Sequence, residues 1–197
     1  MEAKRIQLKN VRLSLADLVG AEYVTALCEA RAFLEGGKVA DYRAIGEEKV
    51  DFFPAAYSAR LDSLLAAVGQ RVVPGFAASS PGASNIPVSK ATKLEMCPIG
   101  GIGFYRMGED GRLYLITKSE HYHAPLGHDF PGYRLLQNAA RLGISNATHN
   151  NTRGHITRLL ERELVRVANG LRRGDQAALD RICASNAPHV LNRITNL

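Results

Sequence analysis

The residues best suited to chemistry stand close together. The run His121-Tyr122-His123-Ala124-Pro125-Leu126-Gly127-His128 puts three imidazoles within eight residues. Alternate side chains of an extended segment point the same way, so His-x-His with a third histidine nearby has the spacing of a metal site. Such a site also wants a carboxylate shortly after the pair and a further histidine on a later strand. Here Glu120 precedes the pair and Asp129 follows His128 directly, where both can hardly ligate one ion. The competing reading is that each histidine hydrogen-bonds a tight loop, and it is the stronger one for any single ring.

A second polar cluster, Ser145-Asn146-Ala147-Thr148-His149-Asn150-Asn151-Thr152, lies just before a helical pattern. Asn151 or Thr152 alone would cap that helix. The surplus of amides and hydroxyls points to a further task, such as holding a polar ligand or a partner subunit. The helix N-terminus behind them favours an anion nearby. Gly100-Gly101-Ile102-Gly103 is too short for a dinucleotide or phosphate-loop fingerprint and reads as a backbone bend. No serine stands in a Gly-x-Ser-x-Gly frame. Cys28, Cys97 and Cys183 are far apart and form no CxxC pair, which argues for free thiols in a reducing compartment.

The elements that must position these residues fall into three zones. Residues 1–72 are helical in pattern. One helix runs from Ser14 and Asp17 through Leu15, Leu18, Val19, Val24, Leu27, Ala30, Ala32, Phe33 and Leu34 with a broad apolar face, and Gly36-Gly37 ends it. A second runs from Pro54 to Val68, with Tyr57, Leu61, Leu64, Leu65 and Val68 at helical spacing. Residues 73–97 are dense in proline, glycine and serine and read as an exposed linker.

Residues 98–197 open with a hairpin. Ile102–Met107 and Leu113–Thr117 form its strands, joined by Gly108-Glu109-Asp110-Gly111. The histidine-rich loop follows, then a short helix from Tyr133 to Leu142 stopped by Gly143. A longer amphipathic helix carries Ile156, Leu159, Leu160, Leu164, Val167 and Ala168, closed by Asn169-Gly170. Asp175 caps a last helix through Leu179 and Ile182. The fold class is therefore α+β, mainly helical with one β-hairpin.

Composition limits the function classes. The chain has 197 residues, 46% hydrophobic and 22% charged, the balance of a globular protein. No apolar run approaches the roughly 20 residues that span a bilayer, and no signal-peptide pattern opens the chain. A cytoplasmic protein is expected. The net charge of +6 raises nucleic acid as a partner. Between Arg153 and Arg166, however, arginines alternate with Glu161 and Glu163, the pattern of a solvated helix face. With no nucleic-acid motif beside it, neither a nucleic-acid nor a membrane partner is expected.

Taken in order, residues 98–197 resemble the N-terminal segment of class III pyridoxal-phosphate-dependent aminotransferases, of fold-type I. Gly103-Phe104-Tyr105-Arg106-Met107 with Glu109-Asp110-Gly111-Arg112-Leu113-Tyr114-Leu115 is similar to that family's first hairpin. Leu126-Gly127-His128-Asp129-Phe130-Pro131 is similar to its leucine-glycine-histidine-x-x-proline element, although Phe130 stands where the family often has a second histidine. A helix, a polar loop and a longer amphipathic helix then follow in the family's order. The resemblance implies transfer of an amino group between an amine or amino acid and a keto acid, in a homodimer. It further implies a chain that continues past Leu197 to a Ser-Gly phosphate turn and a Schiff-base lysine. The 197 residues would then hold no catalytic residue and would not transaminate alone. By position, His121, His123, His128, Asn146, Thr148, His149 and Asn150 would lie nearest the substrate, orienting it by hydrogen bonds. Lys118 reads as a surface lysine. Residues 1–72 find no counterpart in the family.

Two other readings stand beside this one. The first is a small metal-binding protein or metal-dependent hydrolase or isomerase built on His121, His123 and His128. The second is a non-enzymatic domain that binds a partner through the helices of residues 1–72. The apolar face of the Ile156–Ala168 helix, left uncovered, is expected to drive aggregation or dimerisation.

Overall fold

A computed structural model describes residues 9–80, 82–91, 96–116, 126–144, 154–188 and 190–194. About half of it is helical, with eight α-helices and two small antiparallel sheets among the described residues. The chain divides into two compact units, residues 1–14 with 47–139 and residues 15–46 with 140–197. These divide the chain differently from the three zones that composition suggests.

The first unit holds both sheets. β1 (Arg12–Leu13) pairs antiparallel with β2 (Val50–Asp51). Asn10 closes the end of this ribbon: its Nδ2 donates to Asp51 Oδ1 at 2.7 Å, and its Oδ1 accepts from the Phe53 amide at 2.9 Å. The larger sheet has the order β3 (Pro98–Ile102), β4 (Tyr105–Gly108), β5 (Leu113–Leu115). The hairpin expected from the Asp-Gly turn is β4–β5, with Met107 opposite Leu113 and Tyr105 opposite Leu115. Gly111 sits at φ 76°, and a Cβ there would fall 2.1 Å from the Val73 carbonyl oxygen, so only glycine fits.

The expected bend at Gly100-Gly101 is instead strand: both residues pair with β4, and the reversal falls at Gly103-Phe104. The pleat tolerates glycine in a strand wherever something else must approach the backbone. The presumed linker also takes part. The Val73 amide donates to Gly111 O and the Phe76 amide to Glu109 O, so its first residues brace the turn. Residues Ile86–Ala91 form a short helix, α5, with all its side chains exposed. The Pro54–Val68 helix appears as α4 (Ala55–Leu64), followed by a 3-10 turn over Leu65–Ala67.

The second unit is helical: α1 (Leu15–Val19), α2 (Ala21–Glu35), α3 (Val39–Glu47), α7 (His155–Ala168) and α8 (Gln176–Ala184). α6 (Arg134–Arg141) bridges the boundary in sequence. The single long helix expected from Leu15 to Leu34 is two helices, because Gly20 adopts φ 94° between them and no helix continues through that conformation. Gly36 does end α2, at φ 68° with its amide on Ala32 O. The core of this unit holds Leu15, Val24, Cys28, Ala32, Leu142, Val165 and Leu179. The free Cys28 thiol is fully buried, and Cys97 and Cys183 are free and half-buried.

The apolar face of α2 differs from expectation, whereas that of α7 is largely uncovered, as expected. Phe33 is 87% exposed and Leu34 72%, although both fall on the expected face of α2; the buried positions are Val24, Cys28 and Ala32. On α7 the buried side chains are Thr157 and Val165, while Val167 is 62% exposed. The cap of α7 is Gly154, which supplies no side-chain hydrogen bond; Asn151 and Thr152 lie outside the described residues. Asp175 caps α8 as expected, its Oδ1 accepting from the Ala178 amide at 3.1 Å. Among the described residues no helix is long and apolar enough to cross a membrane.

Candidate functional site at the Gly103 turn

Of the seven residues singled out for the site, His128 alone is described. His121, His123, Asn146, Thr148, His149 and Asn150 lie outside the described residues. Among the described residues no group of three or more histidine, cysteine, aspartate or glutamate side chains is placed to hold a metal ion.

His128 is held from both sides of its peptide. Its amide donates to Gly103 O at 2.8 Å, and its carbonyl accepts from the Gly103 amide at 2.6 Å, an antiparallel bridge outside the named strands. The bridge needs bare backbone. A Cβ on Gly127 would meet the Gly103 carbonyl oxygen at 2.7 Å, and one on Gly101 would strike the His128 ring at 2.6 Å. The ring therefore lies half-buried against β3. Asp129 follows at φ 49°, a left-handed conformation that aspartate tolerates better than most residues.

The next residues anchor the element. Phe130 is buried in an aromatic cluster, its ring centroid 5.5 Å from that of Phe52, 5.3 Å from Phe53 and 5.4 Å from Tyr133. Edge-on and tilted contacts of this kind add to the apolar burial. The Tyr133 hydroxyl accepts from the Leu126 amide at 3.0 Å, closing the loop on itself. Pro131 opens a 3-10 turn over Pro131–Tyr133, which passes directly into α6. On α6 the buried Asn138 donates to Glu48 Oε2 at 2.6 Å, and Arg134 Nε lies 3.2 Å from both Glu48 oxygens. One carboxylate thus accepts a buried amide and a guanidinium, which fixes the face that α6 turns inward.

Tyr57 of α4 joins the turn. Burial holds its phenol above the usual tyrosine range, the negative charge of Asp129 adds to this, and a hydrogen bond with the Gly103 backbone works the other way. In the sequence Tyr57 belongs to an apolar stripe, and Glu48 and Asn138 carry no sign of a role. Nothing local marks them: the Glu48–Asn138 contact joins residues 90 apart. What the described site offers is a braced backbone turn carrying hydrogen-bonding groups, Tyr57, His128, Asp129 and Tyr133. Comparison with protein-family models, with curated proteins and with solved structures returns no match for this chain.

Proposed function

We propose that this chain is the N-terminal portion of a class III, pyridoxal-phosphate-dependent aminotransferase, acting on a small amine or amino acid and a keto acid as a cytoplasmic homodimer. The observation that carries the proposal is the double backbone bridge between Gly103 and His128. It ties the Leu126-Gly127-His128-x-x-Pro131 element to the hairpin, and α6 starts within three residues of that proline. Hairpin, glycine-histidine element, short helix and longer amphipathic helix follow one another in the order that the resemblance implies.

The described residues do not themselves fit the cofactor. A Schiff-base lysine is activated by desolvation, whereas Lys9, Lys38, Lys49 and Lys90 are all exposed. Lys118 lies outside the described residues. The electron-sink chemistry of pyridoxal phosphate would come from a longer chain. In this reading the residues of the Gly103 turn position the segment, and His121, His123, His128, Asn146, Thr148, His149 and Asn150 orient the substrate.

The test is the native gene product. Its intact mass is expected to exceed that of the 197-residue chain by some hundreds of residues, with pyridoxal phosphate released on denaturation and amino transfer to a keto acid. A native product of 197 residues that neither binds the cofactor nor transaminates overturns the reading. In the complete enzyme, alanine at His123 and His149 is expected to weaken substrate affinity, and unchanged affinity and turnover would remove them from the site.

A further inference from the structure

A second feature of the first unit stands apart from the proposed function and does not rest on it. One face of the three-stranded sheet and the side of α4 border an open cleft of about 400 Å³. Its apolar wall is Leu64, Val73, Ile102, Tyr105, Met107 and Leu113. Arg60 is the one charged residue lining it among the described residues. Clefts of this size, apolar with few polar groups, are the usual form of small-molecule sites.

Two observations specify the occupant. The first is Gly100, an exposed residue of β3 in the lining of the cleft. A Cβ on Gly101 would collide with the Tyr105 carbonyl and the His128 ring, and Gly103 has a positive φ, so packing or backbone geometry demands glycine at both. Gly100 flanks the bulge of β3 between Pro98 and Gly100; a Cβ there would meet nothing within 4 Å and its φ is not in the left-handed region, so the backbone lies bare towards the cleft. Glycine inside a strand weakens it, and it marks a bulge or a place where a ligand or another backbone comes close; at this bulge the bare backbone leaves room for a ligand. The second is the state of Arg60. Its guanidinium reaches the Ser63 hydroxyl at 3.3 Å, and no carboxylate among the described residues pairs with it. In the second unit, by contrast, a cavity of about 300 Å³ is lined by both Glu161 and Arg162, and Arg162 is already bound to Asp180 at 2.5 Å.

We propose that the cleft between α4 and the sheet binds a small amphipathic monocarboxylate, its apolar body lying over Gly100 and its carboxylate on the Arg60 guanidinium. Arginine presents a planar fork of donors that matches a carboxylate, and the aliphatic wall takes a short alkyl chain or a single ring.

The experiment titrates the full 15N-labelled chain with sodium hexanoate and, separately, with the isosteric neutral hexanamide. Saturable shifts of the Gly100 and Gly101 amides are expected with hexanoate, with hexanamide at least about tenfold weaker. Arg60→Gln should erase the preference for acid over amide while leaving the melting temperature unchanged. Gly100→Val should abolish binding of both while melting no lower than the parent, because a β-branched residue suits a strand and restricts the unfolded chain. No saturable shift up to about 20 mM hexanoate, an amide that binds as well as the acid, or unchanged binding by Gly100→Val would each overturn the proposal. Should Gly100→Val fail to fold, the acid-over-amide preference and its loss in Arg60→Gln decide the matter.

Discussion

The two units are specified by different means. In the first, backbone meets backbone: the Gly111 turn against Val73, the Gly103–His128 bridge, and Val72 and Phe76 on the hairpin turn. Side-chain volume is what these contacts exclude. In the second, helices meet through side chains, with Val165 2% exposed and Cys28 fully buried in its core. Its α7–α8 pair is joined further by Arg162 on Asp180, and Tyr23 stacks on His155 at the start of α7, with ring centroids 4.6 Å apart. Adding one methyl group therefore breaks the first kind of contact, and removing several breaks the second.

The largest effect is expected where that contrast is sharpest. Gly111→Val puts a Cβ 2.1 Å from the Val73 oxygen at a positive φ, and should destabilise the chain by about 4 kcal/mol, at the exceptional end for one substitution. Urea unfolding measures it, and a loss under about 1 kcal/mol would show that the turn gives way easily. Next is the helical unit. Leu179→Ala removes a buried side chain and should cost about 3 kcal/mol in the same measurement. If Gly111→Val costs less than Leu179→Ala, the distinction between the units fails.

Smaller effects sharpen the account of the helices. Asp175→Ala removes the hydrogen bond to the Ala178 amide and should cost about 1 kcal/mol. The pH dependence of the α7–α8 contact comes after it. The hydrogen bond from Arg162 chiefly, with a second from Gln176, holds the Asp180 carboxyl below the usual carboxylate range. The folded-state pKa is thus depressed. Its contribution is present above the unfolded value and fades as pH falls through the folded one. Because the pair is exposed to solvent, the slope is shallow and salt flattens it. Asp180→Asn should remove that part of the acid-side slope in a thermal melt series, and an unchanged slope would show that the ion pair is without thermodynamic weight. Smallest of all is Phe33→Ser. At an 87% exposed position it should shift stability by no more than about 0.5 kcal/mol. A large loss would reveal that Phe33 is covered in solution.

Legibility follows the range of each interaction. The Asp110-Gly111 turn, the stop at Gly36, the cap at Asp175 and the span of α7 depend on neighbours within a few residues, and all of these were readable. The fracture at Gly20 is hidden in the sequence because the apolar pattern runs across it unbroken. The strand at Gly100-Gly101 is hidden too, because two glycines signal a bend unless β4 lies beside them. At the candidate site, Leu126–Pro131 was legible as a motif. Tyr57, Glu48 and Asn138 were not, since each reaches its partner across a long stretch of chain.

By itself, then, the sequence determined the mixed α+β class, the hairpin turn and the order of elements after it, because propensity, capping and turn chemistry act locally. Only the tertiary structure decided which apolar residues are covered. Periodicity marks a stripe on a helix, but another surface must arrive to bury it. The same holds for the third strand, the Gly103–His128 bridge and the cleft beside Arg60, which exist only once distant segments of backbone come within hydrogen-bonding reach.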